Sequence, residues 1–212
     1  MNHLLSKIGS YPFEKLNLLH KDIKPSKDVI NLSIGEPKLN ADSKVLDILN
    51  KETNSFSNYP PMNAVPELSE AYRQYLKNHF GIENVAEDEV CLVAGTREGT
   101  FSIIQALFNK ENVKEKPYVV MPNPFYQIYG GATTLAGGEA KFLDCPEEDN
   151  FQPDLDSLKS EDWQKCQILV LCSPNNPTGS VLPLSKLKDI LDLADKYDFY
   201  VVSDECYVDL YT

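Results

Sequence analysis

Two short polar segments near the end of the chain carry the residue types best suited to chemistry. Ser173 to Gly179 (SPNNPTG) follows the apolar run Ile168 to Cys172, and Ser203 to Tyr207 (SDECY) follows the run Tyr200 to Val202. Both runs predict strands, and a helix-like segment lies between them. Ligands bind beyond the carboxyl ends of such strands in open α/β sheets. An amide, a carboxylate and a phenol converging there could hold a flat, polar heterocycle.

Asp204 stands where the second predicted strand ends, so its carboxylate is expected to be only partly solvated. A buried charge needs a partner. A cationic aromatic nitrogen is one such partner, because a carboxylate beside a pyridinium stabilises the protonated ring. A protonated pyridine is an electron sink. The alternative is structural: Asp204 could cap a following helix or pair with a nearby lysine.

Tyr207 and Asn176 could complete such a site. Tyr207 lies three residues after Asp204, so one helical turn would place the two side by side. Its hydroxyl could donate to a phenolate oxygen on the same ring, and Asn176 offers an amide donor from the neighbouring strand end. Asn176 also precedes a proline, however, and Asn-Pro pairs are typical of turns.

Two further segments follow predicted strands. Gly95-Thr96-Arg97 precedes a predicted helix, and backbone N–H groups at a helix start can hold a phosphate. Many strand–glycine–helix turns bind nothing, so this signal is weak alone. Tyr126 follows the proline-rich exit of another strand. Its ring could lie against a bound heterocycle or pack at the edge of the core.

The elements that must position these residues alternate along the chain. Predicted strands cover residues 90–94, 118–121, 140–143, 168–172 and 199–203. Predicted helices cover residues 43–50, 66–80, 98–108, 127–135, 154–158 and 184–196, with a short helix in the first 40 residues and a turn at residues 34–37. This alternation predicts an α/β fold, with a mostly parallel sheet flanked by helices.

The composition excludes several classes of function. A formal net charge of −12 over 212 residues argues against a nucleic-acid surface, because phosphate binding depends on clustered lysine and arginine. The three histidines and five cysteines show no metal-ligand spacing and no CxxC pair, so no metal site or disulfide framework is expected, and the thiols are expected to be buried. No apolar run has membrane-spanning length and no secretory leader is evident, so no membrane partner and a cytoplasmic location are expected.

Together these segments resemble the class I/II aminotransferases of fold type I, which depend on pyridoxal 5′-phosphate. The resemblance covers essentially the whole chain and rests on Ile34 to Pro37, Tyr59-Pro60, Gly95 to Glu98, Pro122 to Tyr129, Ser173 to Gly179 and Ser203 to Tyr207. It implies an incomplete large domain of such an enzyme. Residues 1–45 would form an N-terminal arm and part of a small domain, and residues 46–212 the N-terminal part of the coenzyme-binding domain.

The resemblance implies how the coenzyme ring would be held. Asp204 would pair with the pyridine nitrogen, and Tyr126 would stack on the ring. Asn176 and Tyr207 would bind the 3′-oxygen.

It also implies contacts to the phosphate and the substrate. The backbone at Thr96 and Arg97 would hold the phosphate, and Tyr59 would reach the phosphate of the neighbouring subunit, which implies a homodimer at full length. The backbone at Gly35 would touch the carboxylate of the amino acid or keto acid substrate.

One expected residue is absent from the sequence. The family attaches its coenzyme to a lysine a few tens of residues beyond the position of Asp204, whereas the last lysine of this chain is Lys196. That lysine is therefore expected beyond Thr212. No residue of this chain is assigned a catalytic role, and the 212 residues alone are expected to be inactive.

Within the family, three strings are most similar to the N-succinyldiaminopimelate aminotransferases of lysine and diaminopimelate biosynthesis. They are Tyr11 to Leu16, Leu32 to Lys38 and Pro122 to Ala132. This similarity implies glutamate as the amino donor and N-succinyl-2-amino-6-oxopimelate as the acceptor. A lyase or synthase that uses the same coenzyme, and a non-catalytic coenzyme-binding module, are the alternatives.

Overall fold

The computed structural model describes residues 2–30, 32, 35, 39–57, 59, 65–111 and 116–210. The chain divides into two compact units, Tyr11–Leu92 on the one hand and Met1–Ser10 with Val93–Thr212 on the other. The domain boundary expected between residues 45 and 46 stays a prediction. The turn expected at residues 34–37 falls, except for Gly35, outside the described residues.

The unit Tyr11–Leu92 is helical where it is described. It contains α1 (Pro12–Leu19), α2 (Ser43–Lys51) and α3 (Pro66–Phe80), with short 3-10 helices at Thr53–Ser57 and Glu87–Glu89. The side chain of Asp42 accepts a hydrogen bond from the Lys44 amide at 2.8 Å and caps α2. Gly81, with φ of 67°, ends α3 as the sequence predicts.

The second unit contains the sheet. A 3-10 helix, His3–Lys7, is followed by α4 (Thr96–Leu107), β1 (Tyr118–Asn123), α5 (Gln127–Ala136), β2 (Glu139–Asp144), α6 (Ser160–Trp163), β3 (Cys166–Cys172), α7 (Leu184–Tyr197) and β4 (Tyr200–Asp204). Short 3-10 helices cover Glu147–Asp149 and Leu155–Ser157. The strands pair in the order β2-β1-β3-β4, and every pair is parallel. The α/β fold with a parallel sheet is therefore confirmed.

Helices cover both faces of the sheet, which explains why its central strands are apolar almost without interruption. On one face, Val120 and Leu169 pack in a cluster with Ile190 of α7. On the other face, Val119 and Ile168 pack in a cluster that includes residues of α4 and α5. Neighbouring residues of one strand thus enter opposite core layers, as the alternation of side chains along a strand requires.

Two predicted elements differ from the structure. Residues 90–94 are not a strand: no described residue pairs with them, and the side chain of Val93 is 51% exposed. The helix expected at residues 154–158 is only the 3-10 helix Leu155–Ser157. There the Asp154 side chain accepts the Asp156 amide at 3.0 Å, and such local bonds compete with helix formation.

The cysteines are all free, but the expectation that they are buried is only partly right. Cys166 and Cys172 lie in the core and Cys145 is half-buried, whereas Cys91 and Cys206 are exposed. The two exposed cysteines lie outside the sheet, Cys91 in the unpaired segment before α4 and Cys206 after β4. No helix within the described ranges is long and apolar enough to cross a membrane, and these ranges hold no group of three potential metal-binding side chains.

Candidate functional site

A pocket of about 180 Å³ lies within the second unit, where β3 and β4 end. Its lining consists of Thr96, Arg97, Tyr126, Tyr129, Cys172, Asn176, Asp204, Cys206 and Tyr207. Six of the eight residues expected to bind coenzyme or substrate are in this set. The other two, Tyr59 and Gly35, belong to the unit Tyr11–Leu92, where the side chain of Tyr59 is 99% exposed.

The parallel pairing of β3 with β4 sets the position of Asp204. Cys172 and Asp204 are register partners at the carboxyl ends of the two strands. Asp204 Oδ2 accepts a hydrogen bond from the Tyr129 hydroxyl at 2.7 Å, and Oδ1 accepts the Cys206 amide at 3.3 Å. Among the described residues no cation pairs with this carboxylate. Its side-chain partners are thus the neutral Tyr129 hydroxyl and the Cys206 thiol, and neither a lysine nor a helix start.

Three pocket residues were not predicted from the sequence as site residues: Tyr129, Cys172 and Cys206. Tyr129 has the largest structural role of the three, because it contacts Asp204. It lies in the first turn of α5 and is 1% exposed. Its ring meets that of Tyr126 edge-on, with centroids 5.7 Å apart. The spacing of Tyr126 and Tyr129 could have indicated it, because residues three apart at a helix start share a face.

Burial raises the pKa of Tyr129 far above its usual range, and the hydrogen bond and charge of Asp204 add to the rise. The phenol therefore keeps its proton and acts as the donor. Partial burial of the thiol and the charge of Asp204 raise the pKa of Cys206 to about 12. Burial also raises the pKa of Cys172. Both pocket thiols are accordingly protonated and weakly nucleophilic at neutral pH.

Asn176 and Tyr207 are in contact, a pairing that the sequence did not predict. The Asn176 Nδ2 atom donates to the Tyr207 hydroxyl oxygen at 3.3 Å. Because that oxygen accepts from Asn176, the hydroxyl proton is directed elsewhere. The backbone after Asp204 is a turn and not a helix, with Val208 N donating to Glu205 O at 3.0 Å.

The loop that carries Asn176 is held by its own hydrogen bonds. Asn175 N donates to Ser180 O at 2.8 Å, and Gly179 N donates to Asn175 O at 2.7 Å. The side chain of Gln152 donates to Ser180 Oγ at 2.7 Å from outside the loop. Asn176 is therefore presented by an ordered turn, so the turn and binding interpretations are compatible.

The start of α4 forms another wall of the pocket. Gly95 precedes the helix with φ of 117° and ψ of 148°. The first backbone N–H groups of a helix lack partners within it, and Thr96 and Arg97 are the first residues of α4. Arg97 is the only cationic side chain in the described lining. Positive partial charge and a guanidinium together favour an anion at this wall.

The donor set fits a six-membered heterocycle with an acidic substituent. An engineered apolar cavity of about 150 Å³ accommodates benzene, so the pocket is large enough for one ring. Its carboxylate suits a protonated ring nitrogen, its amide and phenol suit a ring oxygen, and its helix start suits a phosphate.

Comparison with known proteins matches residues 27–212 to the family model "Aminotransferase class I and II". An aspartate aminotransferase of Pyrococcus horikoshii is 30% identical over 194 residues, which is 91% of this chain and 48% of the relative. LL-diaminopimelate aminotransferase 2 of Nostoc is 29% identical, over 97% of this chain and 53% of the relative. The chain spans about half the length of the curated relatives it matches.

Solved structures agree with the sequence relatives. The crystal structure of an aminotransferase from Neisseria meningitidis has a TM-score of 0.92 and 41% identity, covering 100% of this chain and 54% of that one. Aminotransferase AspB from Helicobacter pylori has a TM-score of 0.88 and 35% identity, covering 96% of this chain and 53% of that one. With the family model and both kinds of relative in agreement, the chain belongs to the class I and II aminotransferases, a family of pyridoxal-phosphate-dependent enzymes.

Proposed function

We propose that the pocket binds pyridoxal 5′-phosphate and that the protein is an aminotransferase of the cytoplasm. It transfers an amino group from an amino acid donor, glutamate, to a keto acid. The observation that carries the proposal is the convergence of three groups in one pocket: the Asp204 carboxylate, the Asn176–Tyr207 pair and the start of α4.

When bound, the coenzyme supplies an electron sink that stabilises negative charge on the substrate's α-carbon. The residues of the chain hold and tune it. Asp204 stabilises a positive charge on the ring nitrogen, because an adjacent carboxylate favours the protonated form. Asn176 donates to Tyr207, whose hydroxyl proton is then available for the 3′-oxygen of the ring. Tyr126 provides an aromatic face beside the ring.

The start of α4 holds the phosphate. The N–H groups of Thr96 and Arg97, which have no acceptor within the helix, can donate to its oxygens, and the positive end of the helix favours its charge. In the proposed homodimer Tyr59 reaches the phosphate of the neighbouring subunit, and the backbone of Gly35 contacts the substrate carboxylate. The very high exposure of Tyr59 is compatible with such a contact.

The proposed acceptor is N-succinyl-2-amino-6-oxopimelate, an intermediate of lysine and diaminopimelate biosynthesis. Similarity of the strings Tyr11 to Leu16, Leu32 to Lys38 and Pro122 to Ala132 supports it. Curated LL-diaminopimelate aminotransferases with 28–29% identity support related chemistry. Aspartate aminotransferases are about as similar, at 30% identity, so oxaloacetate is the competing acceptor.

The test uses a polypeptide that includes this chain and is as long as the relatives it matches. Glutamate-dependent amination is measured with the N-succinyl keto acid and with oxaloacetate, alongside the absorbance of bound coenzyme. We expect coenzyme binding and a higher kcat/KM for the N-succinyl acceptor. A preference for oxaloacetate overturns the acceptor assignment alone, whereas loss of both binding and amination overturns the function.

A further inference from the structure

We infer that Tyr129 is a positioning residue for the coenzyme, because its hydroxyl holds the Asp204 carboxylate in place to face the ring nitrogen. The inference rests on the coenzyme site proposed above. The first turn of α5 would then orient a pocket carboxylate in addition to packing in the core.

The ring of Tyr129 is fixed by its surroundings. It is nearly fully buried in a cluster with Met121 of β1 and Val170 of β3, and it meets the ring of Tyr126 edge-on. A side chain packed in this way has little rotamer freedom. Its hydroxyl is therefore held where the structure shows it, 2.7 Å from Asp204 Oδ2.

The Tyr129 hydroxyl and the Cys206 amide donate to different oxygens of the Asp204 carboxylate, and the Cys206 thiol also contacts it. Tyr129 donates to Oδ2, and the Cys206 amide donates to Oδ1 from the more distant position of 3.3 Å. Both bonds have the same acceptor group, and a bond of 2.7 Å is stronger than one of 3.3 Å, so the Tyr129 bond is the main restraint on the carboxylate. Each oxygen keeps a further lone pair, which leaves the carboxylate able to accept a ring N–H.

The bond also favours the charge that the site requires. Burial keeps the proton on the phenol, so the hydroxyl is the donor in its bond to Asp204. Donation to a carboxylate stabilises its ionised form. Tyr129 is thus a neutral partner that places no positive charge beside the carboxylate.

The test is a double-mutant cycle of Tyr129→Phe and Asp204→Ala. The measured quantity is the Kd for pyridoxamine 5′-phosphate, which carries the same ring nitrogen and phosphate but forms no covalent link to a lysine. The protein used is the longer polypeptide described above, which includes this chain and is as long as its relatives. We expect Tyr129→Phe to raise the Kd about tenfold, or about 1.4 kcal/mol. In the Asp204→Ala background the same change is expected to alter the Kd less than about twofold.

A tyrosine elsewhere in the sheet provides the matched control. Tyr118→Phe removes a hydroxyl at the amino end of β1, away from the pocket lining, and is expected to leave the Kd unchanged. Thermal unfolding without ligand reports whether each variant folds. Tyr129→Met, which retains bulk but has no donor, replaces Tyr129→Phe if that variant does not fold.

The outcomes separate the two proposals. If the wild-type protein does not bind pyridoxamine 5′-phosphate, the proposed function and the role of Tyr129 are both refuted. If the wild-type binds and Tyr129→Phe has no effect, the inference alone falls. It also falls if the loss is equal in both backgrounds, because Tyr129 would then act on the fold and not through Asp204.

Discussion

The conformation of Gly95 offers a test of the link between backbone geometry and phosphate binding. With φ of 117° and ψ of 148°, Gly95 occupies a region that is essentially restricted to glycine. A Cβ atom at this position would also lie 3.1 Å from Glu98 Oε2. Holding a non-glycine residue there costs about 1–3 kcal/mol. We therefore expect Gly95→Ala to be costly.

The cost can appear in one of two quantities. If the turn keeps its shape, the free energy of unfolding falls by this amount, about 1–3 kcal/mol, and the Tm falls with it. If the turn relaxes, the N–H groups at the start of α4 move, and affinity for a phosphate falls by roughly 5- to 150-fold. A mixed outcome divides the cost between the two.

The assay combines thermal unfolding with two ligand titrations. Pyridoxamine 5′-phosphate and pyridoxamine differ only in the phosphate, so relaxation of the turn should weaken binding of the first more than binding of the second. Gly131→Ala is the matched control, since Gly131 lies inside α5 and a Cβ added there would meet nothing within 4 Å. It is expected to be neutral or to stabilise by about 0.5–1 kcal/mol. Unchanged stability together with unchanged phosphate-dependent affinity in Gly95→Ala would refute the reasoning.

Three further predictions concern the pocket and the core. Asn176→Ala removes the amide that donates to the Tyr207 hydroxyl at 3.3 Å. Affinity for pyridoxamine 5′-phosphate is expected to fall roughly two- to tenfold in a fluorescence titration. An unchanged affinity would show that the Asn176–Tyr207 pair does not contribute to binding. Gly138→Ala places a Cβ 2.5 Å from the ring of Phe108. It should lower the free energy of unfolding by about 1–3 kcal/mol, measured by urea unfolding, and a variant as stable as the wild-type would contradict this. Burial raises the pKa of the Cys166 thiol to about 12, against about 8.5 for an unperturbed thiol. Its contribution to stability is thus complete below about pH 8.5 and is lost as the pH rises towards 12. Cys166→Ala should therefore lose less stability than wild-type between pH 8.5 and 11, and parallel pH profiles would show that the thiol is not the cause.

The sequence predicted the centre of the sheet well because β1 and β3 are buried on both faces. The run at residues 168–172 became β3, Cys166–Cys172, and the amphipathic segment at residues 184–196 became α7, Leu184–Tyr197. In both cases the apolar pattern reports burial directly. Residues 90–94 carry a similar pattern but are unpaired within the described part of the chain. Pairing is a non-local property, so an apolar run alone cannot establish it.

The same distinction separates Asn176 and Asp204, which were predicted, from Tyr129, which was not. Asn176 and Asp204 each follow a strand, and parallel strands joined by one helix end at the same edge of a sheet. Their convergence needs only local patterns and one topological rule. Tyr129 is 75 residues from Asp204. Their contact depends on the strand order β2-β1-β3-β4 and on the packing of α5, which the local sequence does not encode.

The chemical identity of the Tyr129 contact matters for the proposed chemistry. A lysine or arginine in contact with Asp204 would neutralise the carboxylate and compete with a cationic ring. A tyrosine with a strongly raised pKa cannot do so, because it stays neutral while it donates. The only cationic side chain in the described lining, Arg97, belongs instead to the start of α4, where an anion is expected. The pocket therefore separates its charges, negative where a ring nitrogen would lie and positive where a phosphate would lie, and this polarity would orient a zwitterionic ligand.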